Sequence, residues 1–198
     1  METHIEKGYT SDEQKQINEK AKKMLVWLGI AGIIMVFAGL TSAYIVRKGN
    51  GAWLIISMPA MFYLSTAIIL FSSLTMNWAL SSIKNNNTTK LKSAILTTLV
   101  LGLLFGVFQF LAWGELIDNN IFFTGKSSNA AGSFLYVLSG LHLAHIAAGI
   151  LVLLIIYYNA ARGKYSSENY LGVKLGAIYW HFLDALWVYL FLFFTFFK

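Results

Sequence analysis

The sequence predicts an all-α integral membrane protein, built as a bundle of five transmembrane helices. Of its 198 residues, 57% are hydrophobic and 12% are charged, and the mean hydropathy is +0.62. A soluble domain carries about 25% charged residues, so this composition leaves too little polar surface to cover a soluble fold. The apolar runs are continuous and lack the alternation of lipid-facing strands, which favours helices over a β-barrel.

Five stretches are long and apolar enough to cross a membrane, since ~20 helical residues cover ~30 Å of hydrocarbon. The first begins at Met24 and is stopped by Arg47, and Pro59 lies in the first turns of the second. They form one domain, 24–198, after a charged tail, 1–23, that has no apolar segment typical of a signal peptide. The predicted spans are 24–46, 55–80, 93–113, 133–158 and 175–197.

The distribution of positive charge predicts how the helices are oriented. Of 15 lysine and arginine residues, 11 fall in the tail and in the second and fourth loops, whereas 4 fall on the opposite side. Positive residues accumulate on the cytoplasmic side, so we expect a cytoplasmic N-terminus and a C-terminus on the opposite side. The net charge of +6 is therefore interpreted as a topology signal, and no nucleic-acid partner is expected.

The chain has no cysteine, which excludes disulfide bonds and every site that needs a thiolate ligand. Zinc–thiolate sites, iron–sulfur clusters, a thiolate-bridged dinuclear copper centre and covalently attached c-type haem are all excluded on this ground. The loops contain no glycine-rich phosphate loop and no nucleophile paired with a base. We therefore expect no catalytic residue and no metal or cofactor ligand in this chain.

Four strongly polar residues lie inside the predicted spans, namely His142 and His145 in the fourth and His181 and Asp184 in the fifth. Each pair is spaced three residues apart and therefore shares one helix face. At 1.5 Å per residue, Asp184 lies ~14 Å and His145 ~20 Å from the inner ends of their spans. This similar height predicts a hydrogen bond between His145 and Asp184, as part of a structural polar clamp that ties the two spans together.

Two functional interpretations stand beside the clamp. One is a proton relay through His145 and Asp184, because intramembrane ionisable groups often serve proton transfer. The other is a metal or b-type haem site, which needs two imidazoles on facing helices at similar height. His181 lies ~9 Å deep, and the other two histidines lie ~10–15 Å deeper, so haem ligation fits poorly.

Small and aromatic residues indicate where the spans pack or where lipid is held. Small residues one helical turn apart let two backbones approach closely, and two tryptophans share one face of the fifth span around Asp184. The candidates for helix packing or for a lipid groove are Gly39, Gly102, Gly106, Gln109, Gly140, Gly149, Trp180 and Trp187.

The fourth and fifth spans contain two segments that resemble a known family. They are SGLHLAHIAAG at 139–149 and YWHFLDALWVYLF at 179–191. These segments resemble the most characteristic stretches of subunit III of haem-copper terminal oxidases, with the patterns G-x-H-x-x-H and Y-W-H-F-x-D-x-x-W. Residues 37–40 of the first span, and Phe105 and Gln109 of the third, are also similar to that family, whereas the second span is less so.

The resemblance implies a non-redox subunit of a proton-translocating respiratory cytochrome c oxidase in the bacterial cytoplasmic (inner) membrane. Members of this family bind neither haem nor copper, which belong to partner subunits. They pack on the catalytic subunit I in a complex with subunit II, hold phospholipid in a cleft between helices, and sustain proton uptake and turnover. The span count resembles the short five-helix bacterial form, and a larger respiratory supercomplex is a further partner that the resemblance allows.

Three positions depart from the family pattern, because Ile33, Ala112 and Lys174 stand where members commonly have glutamate. The proton chemistry that the family assigns to the carboxylate at the position of Ile33 does not carry over to this chain. Lys174 predicts an altered lipid or partner contact at the inner headgroup level. Two alternatives stay open. One is the homologous subunit of a quinol oxidase or a nitric-oxide-reductase-like complex. The other is a stand-alone b-type cytochrome or proton-coupled transporter that uses the three histidines and Asp184.

Overall fold

A computed structural model describes residues 10–49, 51, 53–125 and 128–197. Within these ranges the chain is all-α, and its five helices are each long and apolar enough to cross a membrane. The predicted fold class and number of spans are thereby confirmed. The helices are α1 (Ser11–Gly49), α2 (Ala60–Lys84), α3 (Thr88–Asp118), α4 (Ala130–Ala161) and α5 (Leu171–Phe196).

Four of the helices form a closed ring, and α1 packs on its outside. Helix α3 contacts α2 and α4, and α5 contacts the same two helices, so every member of the ring has two neighbours within it. Among the described residues, α1 contacts α4 and α5 only. Helix α5 therefore contacts three helices, and its apolar stretch is the most buried of the five.

Helix α1 begins at Ser11, well before the predicted start of the first span at residue 24. Thr10 and Glu13 form a capping box, in which Thr10 N donates to Glu13 Oε2 at 2.8 Å and Glu13 N donates to Thr10 Oγ1 at 3.4 Å. This pairing satisfies amide groups that have no partner in the first turn. Much of the predicted tail is therefore a helical extension of α1, while residues 1–9 lie outside the described ranges.

Helix α2 begins at Ala60 rather than at residue 55, and Pro59 precedes the helix instead of lying in its first turns. The Pro59 side chain cannot cap the helix, because it has no hydrogen-bonding atom. Instead, Glu115 of α3 accepts a hydrogen bond from Ala60 N at 3.3 Å. A carboxylate at a helix N-terminus also interacts favourably with the helix dipole. The start of α2 is thus stabilised by a residue that lies far away in the sequence.

Asparagine side chains mark the starts of α3 and α4. Asn87 Oδ1 accepts from Lys90 N at 3.0 Å, and Asn129 Oδ1 accepts from Ala131 N at 2.8 Å. These N-caps satisfy first-turn amides and let the helices begin before the hydrocarbon region. The predicted spans 93–113 and 133–158 are accordingly extended at both ends, and the span 175–197 corresponds to a helix at Leu171–Phe196.

Helix α1 is tied to α5 near the C-terminal ends of both helices. Tyr44 Oη donates to the carbonyl oxygen of Phe197 at 3.1 Å, and its ring lies edge-on to Phe193 at 5.0 Å between centroids. Tyr189 Oη donates to Thr41 Oγ1 at 3.1 Å in the same region. Because these contacts lie at one end of α1, its N-terminal half is left to stand away from α5 and a cleft opens between them.

Candidate functional site

His142 is fully buried where α4 faces α1, α3 and α5. Its ring centroid lies 6.5 Å from that of Phe37, 5.9 Å from that of Phe105 and 5.2 Å from that of Trp187. Neither ring nitrogen has a hydrogen-bond partner among the described residues. The imidazole therefore packs as one ring of an aromatic cluster at the centre of the bundle.

His145 turns away from α5 and bonds within its own helix. Its Nδ1 lies 2.7 Å from the carbonyl oxygen of Leu141 and donates to it, because a carbonyl can only accept. Its ring faces Phe37 of α1, at 5.8 Å between centroids. The predicted hydrogen bond between His145 and Asp184 is therefore wrong. His145 faces Phe37 of α1, whereas Asp184 lies beside His181, which bonds to Ser73 of α2.

His181 and Asp184 form a polar cluster with Ser73 of α2. His181 Nδ1 lies 2.8 Å from Ser73 Oγ, at hydrogen-bonding distance. The same nitrogen is 3.8 Å from Asp184 Oδ2, which is too long for a hydrogen bond. The Asp184 side chain is 4% exposed, and neither carboxylate oxygen has a hydrogen-bond partner among the described residues. The polar residues of the fifth span thus join α5 to α2, whereas the sequence analysis placed their partner on α4.

Helix α2 provides hydroxyl groups for both tryptophans of α5. Trp180 Nε1 donates to Ser72 Oγ at 3.0 Å, and Trp187 Nε1 donates to Thr66 Oγ1 at 2.9 Å. Indole nitrogens are costly to bury without an acceptor, so these bonds explain how two large rings lie inside the ring of helices. Both tryptophans are almost completely buried.

Two further pairs of polar side chains join α2 to α3. Gln109 Nε2 donates to Ser65 Oγ at 3.1 Å, and the hydroxyl oxygens of Thr75 and Thr98 lie 2.8 Å apart. The sequence analysis missed the role of α2 in these contacts. The signal that could have revealed it is the density of serine and threonine in the second span, since such hydroxyls bond across helices in membranes. They lie at positions 65, 66, 72, 73 and 75.

Trp180 fills the space that two glycines leave on neighbouring helices. A Cβ added at Gly102 of α3 would lie 2.7 Å from Trp180 Cη2, and one added at Gly149 of α4 would lie 3.1 Å from Trp180 Cζ3. The first distance is too short for any real contact, and the second would force the indole to shift. The ring thus needs both glycines, and it brings α3, α4 and α5 into close contact.

The other glycines singled out in the sequence have looser surroundings. A Cβ added at Gly106 or at Gly140 would meet a side-chain atom at 3.7 Å, which is an ordinary contact distance. A Cβ added at Gly39 would have no atom within 4 Å. Gly39 therefore makes no close packing contact within the described part of this chain, in contrast to the expectation from its spacing.

A cleft separates the N-terminal half of α1 from α5. Its volume is about 440 Å³, and nearly every side chain in it is apolar. The cleft is open at Gly29, because a Cβ added there would have no atom within 4 Å. The residues that line it are Val26, Gly29, Ile30, Ile33, Val152, Gly172, Leu175, Gly176 and Tyr179.

A polar groove of about 640 Å³ lies beside the cleft, toward the N-terminus of α1. Gly172 and Leu175 line both the cleft and the groove, so the two spaces are neighbours. Tyr165, in the loop before α5, also lines the groove. Burial raises the pKa of its phenol, a group that is protonated at neutral pH even at its ordinary pKa of about 10. The polar residues of the groove are Gln14, Lys15, Asn18, Glu19, Lys22, Tyr165 and Asn169.

The three intramembrane histidines have three separate environments. His142 lies among aromatic rings, His145 bonds to a carbonyl of α4, and His181 bonds to α2. In the ranges that the structure describes, no group of three or more His, Cys, Asp or Glu side chains could hold a metal ion. The polar side chains of this arrangement form hydrogen bonds between helices. A cleft with apolar and polar neighbouring sections remains open at the side of the bundle.

Comparison with known proteins identifies the family of the chain. The sequence model of the family described as cytochrome c oxidase subunit III matches residues 55–198, which include α2 to α5. The chain belongs to the cytochrome c oxidase subunit III family. This finding confirms the resemblance seen in the fourth and fifth spans. It associates the chain with respiratory electron transport and with an oxidase complex that contains other subunits.

Named relatives include bacterial and animal proteins. The chain is 31% identical over 180 residues to cytochrome c oxidase subunit 3 of Bacillus sp. (strain PS3), covering 87% of this chain and 84% of that protein. It is 30% identical over 163 residues to cytochrome c oxidase subunit 3 of Synechocystis sp. (strain ATCC 27184 / PCC 6803 / Kazusa), covering 79% of this chain and 67% of that protein. The Aedes aegypti subunit 3 is 33% identical over 129 residues, 65% of this chain and 47% of that protein. The chain thus matches about half the length of some relatives.

Proposed function

We propose that this chain is the non-redox subunit III of a bacterial haem-copper oxygen reductase, in which oxygen reduction is coupled to proton translocation. The observation that carries this proposal is the family match over residues 55–198, which spans the complete ring of helices. The names of the relatives favour a cytochrome c oxidase over a quinol oxidase or a nitric-oxide-reductase-like complex. Haem and copper belong to the partner subunits. This chain packs on the catalytic subunit and holds phospholipid.

Packing on the catalytic subunit I, in a complex with subunit II, is the first part of this role. The polar side chains of α2 bond to α3 and α5, so they face inward. The outer faces of α2 and α3 are left with large apolar side chains, which can contact either hydrocarbon or the helices of another subunit. They include Leu70, Phe71, Leu74, Leu103, Val107 and Phe110.

Holding phospholipid is the second part of the role. The cleft beside α1 has an apolar section of about 440 Å³ that joins a polar groove of about 640 Å³. The apolar section suits the acyl chain of a lipid, and the polar groove suits its headgroup. A lipid bound there would fill the space that α1 leaves beside α5 and would support sustained proton-coupled turnover by stabilising the bundle.

The chain lies in the bacterial cytoplasmic membrane, with its N-terminus on the cytoplasmic side. The accumulation of 11 of the 15 lysine and arginine residues on the N-terminal side supports this orientation. The bacterial relatives support the bacterial membrane. The helical extension of α1 then lies in the cytoplasm and at the inner headgroup level.

The test is a redox difference spectrum of the complex purified through a tag on this chain, together with that of the chain expressed alone. We expect haem bands and the catalytic subunit in the complex, and a colourless chain in isolation. Haem bound stoichiometrically to the isolated chain would contradict the proposal and would make His142, His145 or His181 candidate ligands. Purification of the tagged chain without any haem protein would also contradict it.

A second experiment tests the role in turnover. The complex is prepared with and without this chain, and oxygen consumption is followed over many catalytic cycles. We expect both preparations to have the same haem spectrum, and the depleted complex to lose activity faster during turnover. Adding the purified chain back should restore the time course. Equal rates of inactivation in the two preparations would contradict the proposed function in sustained turnover.

A further inference from the structure

Helix α2 has one carboxamide, and it lies on the outer side of the helix. Unlike the hydroxyls of α2 that bond to α3 and α5, the Asn77 side chain is exposed and forms no hydrogen bond within the described part of the chain. Asn77 lies seven residues before Lys84, the last residue of α2, which is ~10 Å along the helix axis. Because side chains tilt toward the N-terminus of their helix, the amide points away from Lys84 and toward the middle of the membrane.

At this depth hydrocarbon surrounds the amide unless a protein covers it. The 25 residues of α2 span ~37 Å, whereas the hydrocarbon is ~30 Å thick. Even if the whole excess of ~7 Å projected at the Lys84 end, Asn77 would lie ~3 Å inside the hydrocarbon. An amide without a hydrogen-bond partner is costly in an apolar medium, and acyl chains have no donor or acceptor. Asn77 therefore requires a polar partner, and the described part of the chain supplies none.

Asn77 belongs to a polar strip between α1 and α2, formed with Ser73, His181 and Ala185. Ser73 lies one turn from Asn77 on the same face of α2, and it lies at hydrogen-bonding distance from His181, whose side chain is 30% exposed. Ala185, one turn further along α5, is exposed. Among the described residues α1 and α2 both contact α5 but not each other, so this side of α5 is left uncovered. Its short side chains leave room for another helix to approach closely.

We infer that the polar strip is a contact site for a transmembrane helix of another oxidase subunit, which presents a hydrogen-bonding side chain to the Asn77 amide. A carboxamide both donates and accepts, so serine, threonine, asparagine or glutamine on the partner helix would satisfy it. Such side chains bond across helices in membranes. The inference rests on the proposed packing within an oxidase complex. It adds the face of this chain and the residue that recognise a partner helix.

The charges at the end of the strip favour a different subunit over a second copy of this chain. Lys84 and Lys174 are exposed and lie seven residues from Asn77 and His181, on the same helix faces. Two copies inserted in the same orientation and paired through this strip would bring four lysines together at one end, and like charges oppose such pairing. An oxidase complex contains other subunits that can cover the strip without this repulsion.

The residue is tested with Asn77→Leu in the full-length chain, titrated onto the oxidase complex from which this chain has been removed. One hydrogen bond across membrane helices is equivalent to about 3- to 30-fold in affinity, and we expect Asn77→Leu to weaken binding by that factor. Asn77→Gln keeps the amide and should recover part of the loss. The control is Asn85→Leu, because Asn85 is exposed but follows the end of α2. The melting temperature of the isolated Asn77→Leu chain should match that of the parent, since no internal bond is lost.

The occupant is identified with a photoreactive amino acid in place of Asn77 in the intact complex. We expect cross-links to a membrane segment of another oxidase subunit, mapped by mass spectrometry. Cross-links only to lipid, or only to a second copy of this chain, would overturn the inference, and so would parental affinity of Asn77→Leu. In each of these cases, binding of the parent chain to the haem-containing complex would leave the proposed function standing. Failure of the parent chain to bind that complex would overturn both.

Discussion

The indole Nε1 of Trp180 donates a hydrogen bond to Ser72 Oγ at 3.0 Å in the interior of the helix ring. The Ser72 hydroxyl in turn donates to the carbonyl oxygen of Ile69 at 2.7 Å, so one hydroxyl serves as both acceptor and donor. The same indole lies against glycines of α3 and α4. This single side chain therefore contacts three neighbouring helices, which makes its surroundings the best place to test the fold.

Replacing Ser72 with alanine leaves the buried indole N–H without an acceptor. We expect the free energy of unfolding to fall by ~1–3 kcal/mol, the usual effect of an unpaired buried donor. The measurement is denaturation of the full chain in detergent, followed by circular dichroism. Ser81→Ala is the matched control, because Ser81 is exposed on the same helix. Equal stability of the two variants would mean that the indole does not depend on this hydroxyl.

Gly102→Ala introduces a methyl group 2.7 Å from Trp180 Cη2, so the indole or the helix must shift. We expect a loss of ~1–3 kcal/mol in the free energy of unfolding, which is typical of overpacking. Gly114→Ala on the same helix is the control, since an added Cβ there has no atom within 4 Å. That variant should be neutral or slightly stabilising because alanine is the better helix former. A stable Gly102→Ala protein would show that the contact among the three helices is looser than the structure indicates.

Asp184 is a buried carboxylate whose oxygens have no hydrogen-bond partner among the described residues. A neutral amide of the same shape is less costly to bury than a charge in a membrane bundle. We therefore expect Asp184→Asn to be as stable as the parent chain in detergent, or more so. The measurement is the free energy of unfolding of the isolated chain at pH 7. A loss of more than ~2 kcal/mol would indicate that the negative charge itself is stabilised inside the bundle.

Glu115→Ala removes the acceptor for Ala60 N at the start of α2. We expect the first turn of α2 to fray, at a cost of ~0.5–1 kcal/mol, because the cap and its favourable interaction with the helix dipole are both lost. Hydrogen exchange at the amides of residues 60–62 should accelerate, while the exchange of α4 stays unchanged. Asp118→Ala, on the same helix, provides the control. Unaltered exchange at those amides would exclude Glu115 as the cap.

Helix number and approximate position could be predicted because each span satisfies a local requirement. About 20 apolar residues in a row suffice to cross the hydrocarbon, whatever their neighbours are. The ends of the helices were harder to predict from the sequence, because each end depends on a single capping group. The Thr10–Glu13 capping box is local and could have been recognised as T-x-x-E, whereas the capping of Ala60 by Glu115 links two different helices.

The polar residues of the fourth and fifth spans were recognised in the sequence, but their partners were not. His145 and Asp184 lie at similar heights, and height can be counted along a helix at ~1.5 Å per residue. A hydrogen bond also requires the correct rotation about each helix axis. The structure turns His145 toward Phe37 and places His181 against Ser73.

Composition and local pattern were sufficient for the five membrane helices, the oxidase-family resemblance and the small and aromatic residues of the bundle. Which helices and side chains contact one another was decided only by tertiary packing, for a physical reason specific to membranes. Lipid-facing and core-facing side chains are both apolar, so hydropathy does not reveal which face of a helix is buried. The contacts of Trp180 with Ser72 and Gly102, and the cleft left open beside Gly29, arise only when the helices are assembled.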